Sequence, residues 1–195
     1  VSFFSIAFGL FTAVMDASMI GIALPSISKD FSLDLSSAAW ISLVSTITVV
    51  AVLLPMGNIS DRLGRKKIYL LGVIVTAIGS LLCSFSNEIF SLLISRIIVA
   101  ISAAMRMSTG LAMVMMIFKD KERGKGLGAN TTTVGLAAIT GPIFGGLLVG
   151  SFGWESIFIT QAFLSIPAFI LGYIFLDKAI VDLNQNYNIY LALPK

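Results

Sequence analysis

Long apolar runs alternate along this chain with short polar links. The runs cover about 3–24, 39–58, 68–85, 89–118, 127–150 and 156–176. Each approaches or exceeds the roughly 20 residues that a helix needs to cross a hydrocarbon layer. The fourth is long enough that it is expected to tilt or to end before Phe118. Short links make consecutive helices antiparallel neighbours. The pattern predicts an all-α membrane protein, with one six-helix transmembrane bundle over 1–176. From Asp177 to Lys195 the apolar run is lost, and this stretch reads as a tail. No sequence repeat is visible, although three-helix repeats related by inversion need not leave one.

Composition supports lipid as the solvent. Of 195 residues, 57% are hydrophobic and 12% charged, against roughly a quarter charged in a soluble domain. The net charge of +3 is not a nucleic-acid signature, because the basic residues sit in short links rather than along one face. Cys83 is a lone cysteine and histidine is absent. No disulfide framework, metal centre, cofactor or enzymatic site is therefore expected. The opening VSFFSIAFGLF has no Met and no basic n-region. It reads as the start of a spanning segment or a trimmed start, not a signal peptide.

Charge placement predicts orientation. Arg62, Arg65, Lys66 and Lys67 follow the second run, and Lys119, Lys121, Arg123 and Lys125 follow the fourth. The other links hold only Lys29. Basic links face the cytoplasm, so both ends of this segment, including the tail, are expected there. The expected location is the plasma (inner) membrane. Topology alone does not account for Asp61, which lies between Gly57 and Gly64.

Asp16, Arg96 and Arg106 lie inside apolar runs. An ionisable group exposed to lipid there costs at least ~2.5–3.5 kcal/mol, so each is expected to face protein or water and to be functional. Asp16 lies roughly 12 Å, and Arg96 roughly 10 Å, below the outer ends of their runs at 1.5 Å per residue. Opposite charges at similar depth could pair. Ser5, Gly9, Thr12 and Asp16 share one stripe, and so do Arg96, Ala100, Ala103, Met107 and Gly110. Arg106 is about 80° round the helix from Arg96, where it would line a cavity or snorkel. Burial favours a neutral carboxyl and an adjacent guanidinium a charged one. A change in either could load and unload a proton at Asp16. The bland alternative is a static ion pair that fixes the bundle.

The fifth run carries two smooth stripes, Gly128, Gly135 and Gly146 on one and Ala137, Gly141 and Gly145 on the other. Small residues permit close packing, and Pro142 favours a bend. Asn130, Thr131, Thr132, Thr133 and Gln161 are expected to make helix–helix hydrogen bonds. Trp40 and Trp154 are expected to anchor at the membrane interface.

These residues resemble those of a known family. Gly57-Asn-Ile-Ser-Asp61-Arg62-Leu-Gly64-Arg65-Lys66 resembles the G-x-L-x-D-R-x-G-R-K signature of the major facilitator superfamily, with Ile59 for the usual Leu. Met15-Asp16 and Ile22-Ala23-Leu24-Pro25 resemble the helix 1 run of drug:proton antiporters, especially the 14-helix group, with Ser18 and Gly21 replacing Thr and Asn. Gly141-Pro142-Ile-Phe-Gly145-Gly146, with Gly128 upstream, resembles the antiporter signature of helix 5. Arg96 matches the Arg of the helix 4 signature R-x-x-Q-G-x-G-A-A, but Val99, Ala100 and Ser102 depart from it. Arg106 falls where the family is usually apolar.

The resemblance implies the N-terminal half of a carrier whose full fold has at least twelve helices in two six-helix halves. It implies proton-coupled efflux of drugs or other small lipophilic molecules by alternating access. Asp61 and Arg65 would form a cytoplasmic latch closing against the second half. The implied partners are the bilayer, a small-molecule substrate, protons and the missing C-terminal half or another six-helix bundle. The chain would then be a fragment or a truncated gene product. The alternatives are a proton symporter of a small solute and a non-transporting remnant.

Overall fold

The computed structural model describes residues 2–118 and 122–176. The predicted tail over 177–195, with Lys119 and Lys121 of the second basic link, lies outside the described residues. The described residues form six helices: α1 (Ser2–Asp30), α2 (Leu35–Leu63), α3 (Arg65–Ser84), α4 (Ile89–Ile117), α5 (Arg123–Phe152) and α6 (Glu155–Phe175). All six are long and apolar enough to cross a membrane.

The helices overrun the apolar stretches that announce them. α1 continues through Pro25 to Asp30. α2 starts one residue after Asp34, whose carboxylate accepts the Ser37 backbone N–H at 3.4 Å and caps the helix. Hydrogen bonding from Ser37, its side chain first and its backbone N–H after it, holds the Asp34 carboxyl below its ordinary range. The basic link shrinks to one residue, Gly64, between α2 and α3. Its φ of +99° lies where a Cβ is strained, which is why a glycine sits there. Asp61 and Arg62 thus occupy the last turn of α2, and Arg65, Lys66 and Lys67 the first turn of α3.

α1 and α4 form the inside of the bundle. Half of their membrane-spanning stretches is buried, against 11% for α2 and 17% for α5. α1 packs on α5 and α6, α4 packs on α2 and α3, and α3 packs on α6. One apolar core gathers Met19, Ile20, Ile27, Leu92 and Phe158. A second, nearer the α2–α3 link, gathers Ile6, Tyr69, Val73 and Met113. Outward faces carry Ile47, Ile139 and Leu147, all exposed. Side chains of this kind suit hydrocarbon rather than water.

Two expectations about packing change. Trp154 is 3% exposed, so it is not an interface anchor. Its Nε1 donates to Asp30 Oδ2 at 2.7 Å and its ring meets Phe158 edge-on, so it pins the end of α1 to the start of α6. Trp40, at 55%, stays exposed. Thr131, Thr132 and Thr133 donate to carbonyls one turn back in α5, not to another helix. A hydroxyl on a helix can always satisfy itself this way. Gln161 does cross between helices: its Nε2 donates to Thr12 O at 3.2 Å.

Candidate functional site

The inner helices bring Asp16 and Arg96 together. Arg96 Nη1 donates to Asp16 Oδ2 at 2.9 Å, with side chains 4% and 7% exposed. Arg96 Nε donates to Ser45 Oγ on α2 at 3.2 Å, and the guanidinium sits 5.8 Å from the Phe158 ring centre. Asp16 Oδ1 has no partner among the described residues. The pair is buried yet lines a cavity of about 340 Å³, with Ser45, Thr46, Ala103 and Met107 also on its wall. Such a site can exchange a proton between the carboxylate and an entering molecule or water.

Arg106 is separate. Its Nη1 donates to Gly9 O and Thr12 Oγ1 of α1, each at 3.1 Å, and the residue is 3% exposed. It lines a larger cavity of about 590 Å³ between α1, α2, α4 and α5, together with Leu54, Gly57, Asp61, Leu111 and Asn130. This volume lies within the range of small-molecule pockets. Met107 lines both cavities.

At the lip of the larger cavity Asp61 accepts from Arg65, whose Nη2 and Nε lie 2.8 and 2.9 Å from Oδ1. Arg65 also reaches α4, donating from Nη1 to Met116 Sδ at 3.0 Å and Ala112 O at 3.4 Å. Lys66 donates to the Tyr173 and Leu176 carbonyls, tying α3 to the end of α6. Arg62 is exposed. Gly57, unlike Gly64, sits within a helix with nothing within 4 Å of an added Cβ.

On α5, Gly141 and Gly145 are buried against Met15, Ser18 and Met19 of α1, the turns that carry Asp16. Pro142 lies within the continuous helix beside them. Gly128 and Gly146, like Gly135, face away from the bundle with nothing near. Only one of the two small-residue stripes is therefore packed among the described residues. Ser45 and Phe158, which hold Arg96, carried no signal in the sequence: one serine and one phenylalanine in apolar runs are unremarkable until the helices are placed. Among the described residues no group of three or more His, Cys, Asp or Glu could hold a metal.

A family model, the Major Facilitator Superfamily, matches residues 6–185. The chain belongs to this superfamily. It is 37% identical over 185 residues to the riboflavin transporter RibZ of Clostridioides difficile (strain 630), covering 94% of this chain and 41% of that protein. It is 31% identical over 174 residues to the methylenomycin A resistance protein of Bacillus subtilis (strain 168), covering 89% and 37%. A solved POT family transporter in complex with 5-aminolevulinic acid superposes with a TM-score of 0.79 at 18% identity, covering 90% of this chain and 38% of that one. The chain spans about two-fifths of the length of these relatives. It is thus a multi-pass membrane protein with the six-helix architecture found in solved major facilitator transporters. Within that superfamily fold, both cavities open beside α1 and α4, and the ion pair and the glycine face of α5 meet on α1.

Proposed function

We propose that this chain is one six-helix half of a proton-coupled carrier that exports drugs or similar small lipophilic molecules by alternating access. The observation that carries the reading is the buried Asp16–Arg96 pair on a cavity wall, with Asp16 Oδ1 free. Asp16 takes up a proton when Arg96 is drawn away and the site is dry, and gives it up when Arg96 returns, water enters or substrate arrives. Arg96 biases its charge state. Asp61 and Arg65 form a latch that stabilises the state closed at their end, the carboxylate resting against a helix N-terminus of the second half. α5 is the packing helix that lets α1 move, with Gly141 and Gly145 as its smooth face. Both ends of the segment face the cytoplasm, as the basic links direct, in a plasma (inner) membrane. The complementary half is the remaining partner.

One observation favours a second reading. Identity to a riboflavin transporter suits a carrier of a solute with a flat, partly polar ring system, moved in either direction. The deciding experiment uses the complete protein in vesicles with an imposed pH gradient. Export predicts that substrate accumulates in inside-out vesicles with an acidic lumen, and that Asp16→Asn abolishes it. Symport predicts instead that substrate leaves the acidic lumen together with the protons.

A further inference from the structure

Three ionisable side chains lie deep in the bundle, and their charges do not cancel. Asp16 is matched by Arg96. Arg106 has no carboxylate within ion-pair distance among the described residues. It is as buried as Arg96, 3% exposed in each case, but the two oxygens that accept from it are neutral. Both of its hydrogen bonds leave the same nitrogen, Nη1, and Nε is buried without a partner. A guanidinium has five N–H donors, so most of this one's capacity is unused. A buried, uncompensated charge is costly, and such a residue needs a counter-charge when the cavity is dry.

The surroundings limit what that counter-charge can be. Arg106 lines the larger cavity beside apolar Ile6, Leu10, Leu53 and Leu111. Its uncharged polar side chains are Asn58 on α2, Ser108 on α4 and Asn130 on α5, none of which brings a counter-charge. The one carboxylate on the wall, Asp61, is already held by Arg65. An entering molecule therefore meets one unmatched positive charge in an apolar chamber.

We propose that Arg106 binds an acidic group of the transported molecule, so that this cavity selects amphipathic oxyanions, an apolar body bearing one carboxylate or equivalent. This deepens the carrier reading and rests on it, but it concerns binding at Arg106 rather than coupling at Asp16. A planar fork suits a carboxylate through two parallel hydrogen bonds. The bonds to Gly9 and Thr12 hold the fork in place on α1, so the anion site and the helix bearing Asp16 move together.

Equilibrium binding of 2-naphthoate and of 2-naphthamide to the complete protein, purified in detergent and without any gradient, tests this. Wild type is expected to prefer the acid by roughly tenfold or more, the scale of one charge-assisted hydrogen bond. Arg106→Gln is expected to lose that preference while its affinity for the amide changes little. Arg106→Lys is expected to keep part of it, since an ammonium is a point charge without the fork. A cysteine placed at Leu111, on the same cavity wall, is expected to be protected from maleimide by the acid, which locates the site even if Arg106→Gln fails to fold. Equal binding of acid and amide by wild type, or no protection at position 111, overturns the proposal. An equal fall for both ligands in a folded Arg106→Gln also overturns it, leaving Arg106 as a tie between α4 and α1. None of these results depends on proton coupling, so Asp16→Asn efflux can fail or succeed independently.

Discussion

Asp16 Oδ2 accepts from Arg96 Nη1 at 2.9 Å, while Oδ1, only about 2 Å away on the same carboxylate, has no partner among the described residues. The arrangement is half-satisfied. A static buried pair gains most when every lone pair is used, whereas an oxygen left over on a cavity wall suits a group that exchanges protons.

The pair predicts how substitutions divide. Asp16→Asn keeps the shape and an oxygen that can accept from Arg96. Asp16→Ala leaves the guanidinium buried with Ser45 as its sole side-chain acceptor among the described residues, a loss on the order of 3 kcal/mol. Thermal unfolding of the complete protein in detergent is expected to show a large drop for Asp16→Ala and a smaller one for Asp16→Asn, which keeps a hydrogen bond to Arg96 but removes its counter-charge. Equal stability would mean that the pair does not hold the bundle.

Gly9 and Tyr69 form a matched contact. The Tyr69 hydroxyl donates to Ser5 O at 2.9 Å, and a Cβ on Gly9 would lie 1.9 Å from that hydroxyl and 2.8 Å from Cζ. Gly9→Ala is expected to destabilise the bundle strongly by displacing the ring. Tyr69→Phe alone is expected to cost about 1 kcal/mol, one hydrogen bond. In the double variant the penalties are expected to be less than additive, because the closest clashing atom is gone. Strict additivity in unfolding midpoints would refute the contact.

The two stripes of α5 are expected to behave differently. A Cβ on Gly141 meets Ser18 Cβ at 2.7 Å and Met15 O at 3.1 Å, while one on Gly146 meets nothing. Gly141→Ala is therefore expected to lose about 1–3 kcal/mol through overpacking, and Gly146→Ala to leave the bundle intact. Comparing their unfolding midpoints checks this, and equal effects would show that α5 does not seat on α1 as described.

Much of this was legible in the sequence, for identifiable reasons. Six apolar runs announce six helices, because backbone groups in hydrocarbon must bond within their own segment. The pairing of Asp16 with Arg96 was readable from depth and sign alone. Helix ends were less readable. Lys29 and Asp30, or Asp61 and Arg62, look like link residues by polarity, yet helical hydrogen bonding carries on until Gly64 or the turn at Phe31 interrupts it. Trp154 misled because tryptophan at a run's end usually meets lipid headgroups, and its partner Asp30 is distant in sequence. Which glycine stripe of α5 faces α1 depends on tertiary packing, which a stripe's composition does not encode.

The contact between Asp61 and Arg65 yields a conformational prediction. If it latches one state, Asp61→Asn in the complete protein shifts the balance toward the state open at that end. Labelling of a cysteine at Leu54, which lines the larger cavity, is expected to accelerate severalfold. Native Cys83 is fully buried and contributes little background. An unchanged labelling rate would remove Asp61 from the gate.

The central claim is that Asp16 carries a proton which substrate displaces. Proton release is measured when a transported drug is added to the complete, purified protein in lightly buffered solution with a pH indicator. The account predicts release from the wild type that disappears in Asp16→Asn while drug binding persists. Undiminished release from Asp16→Asn, or binding by the wild type with no release at any pH where the protein is folded, would contradict it.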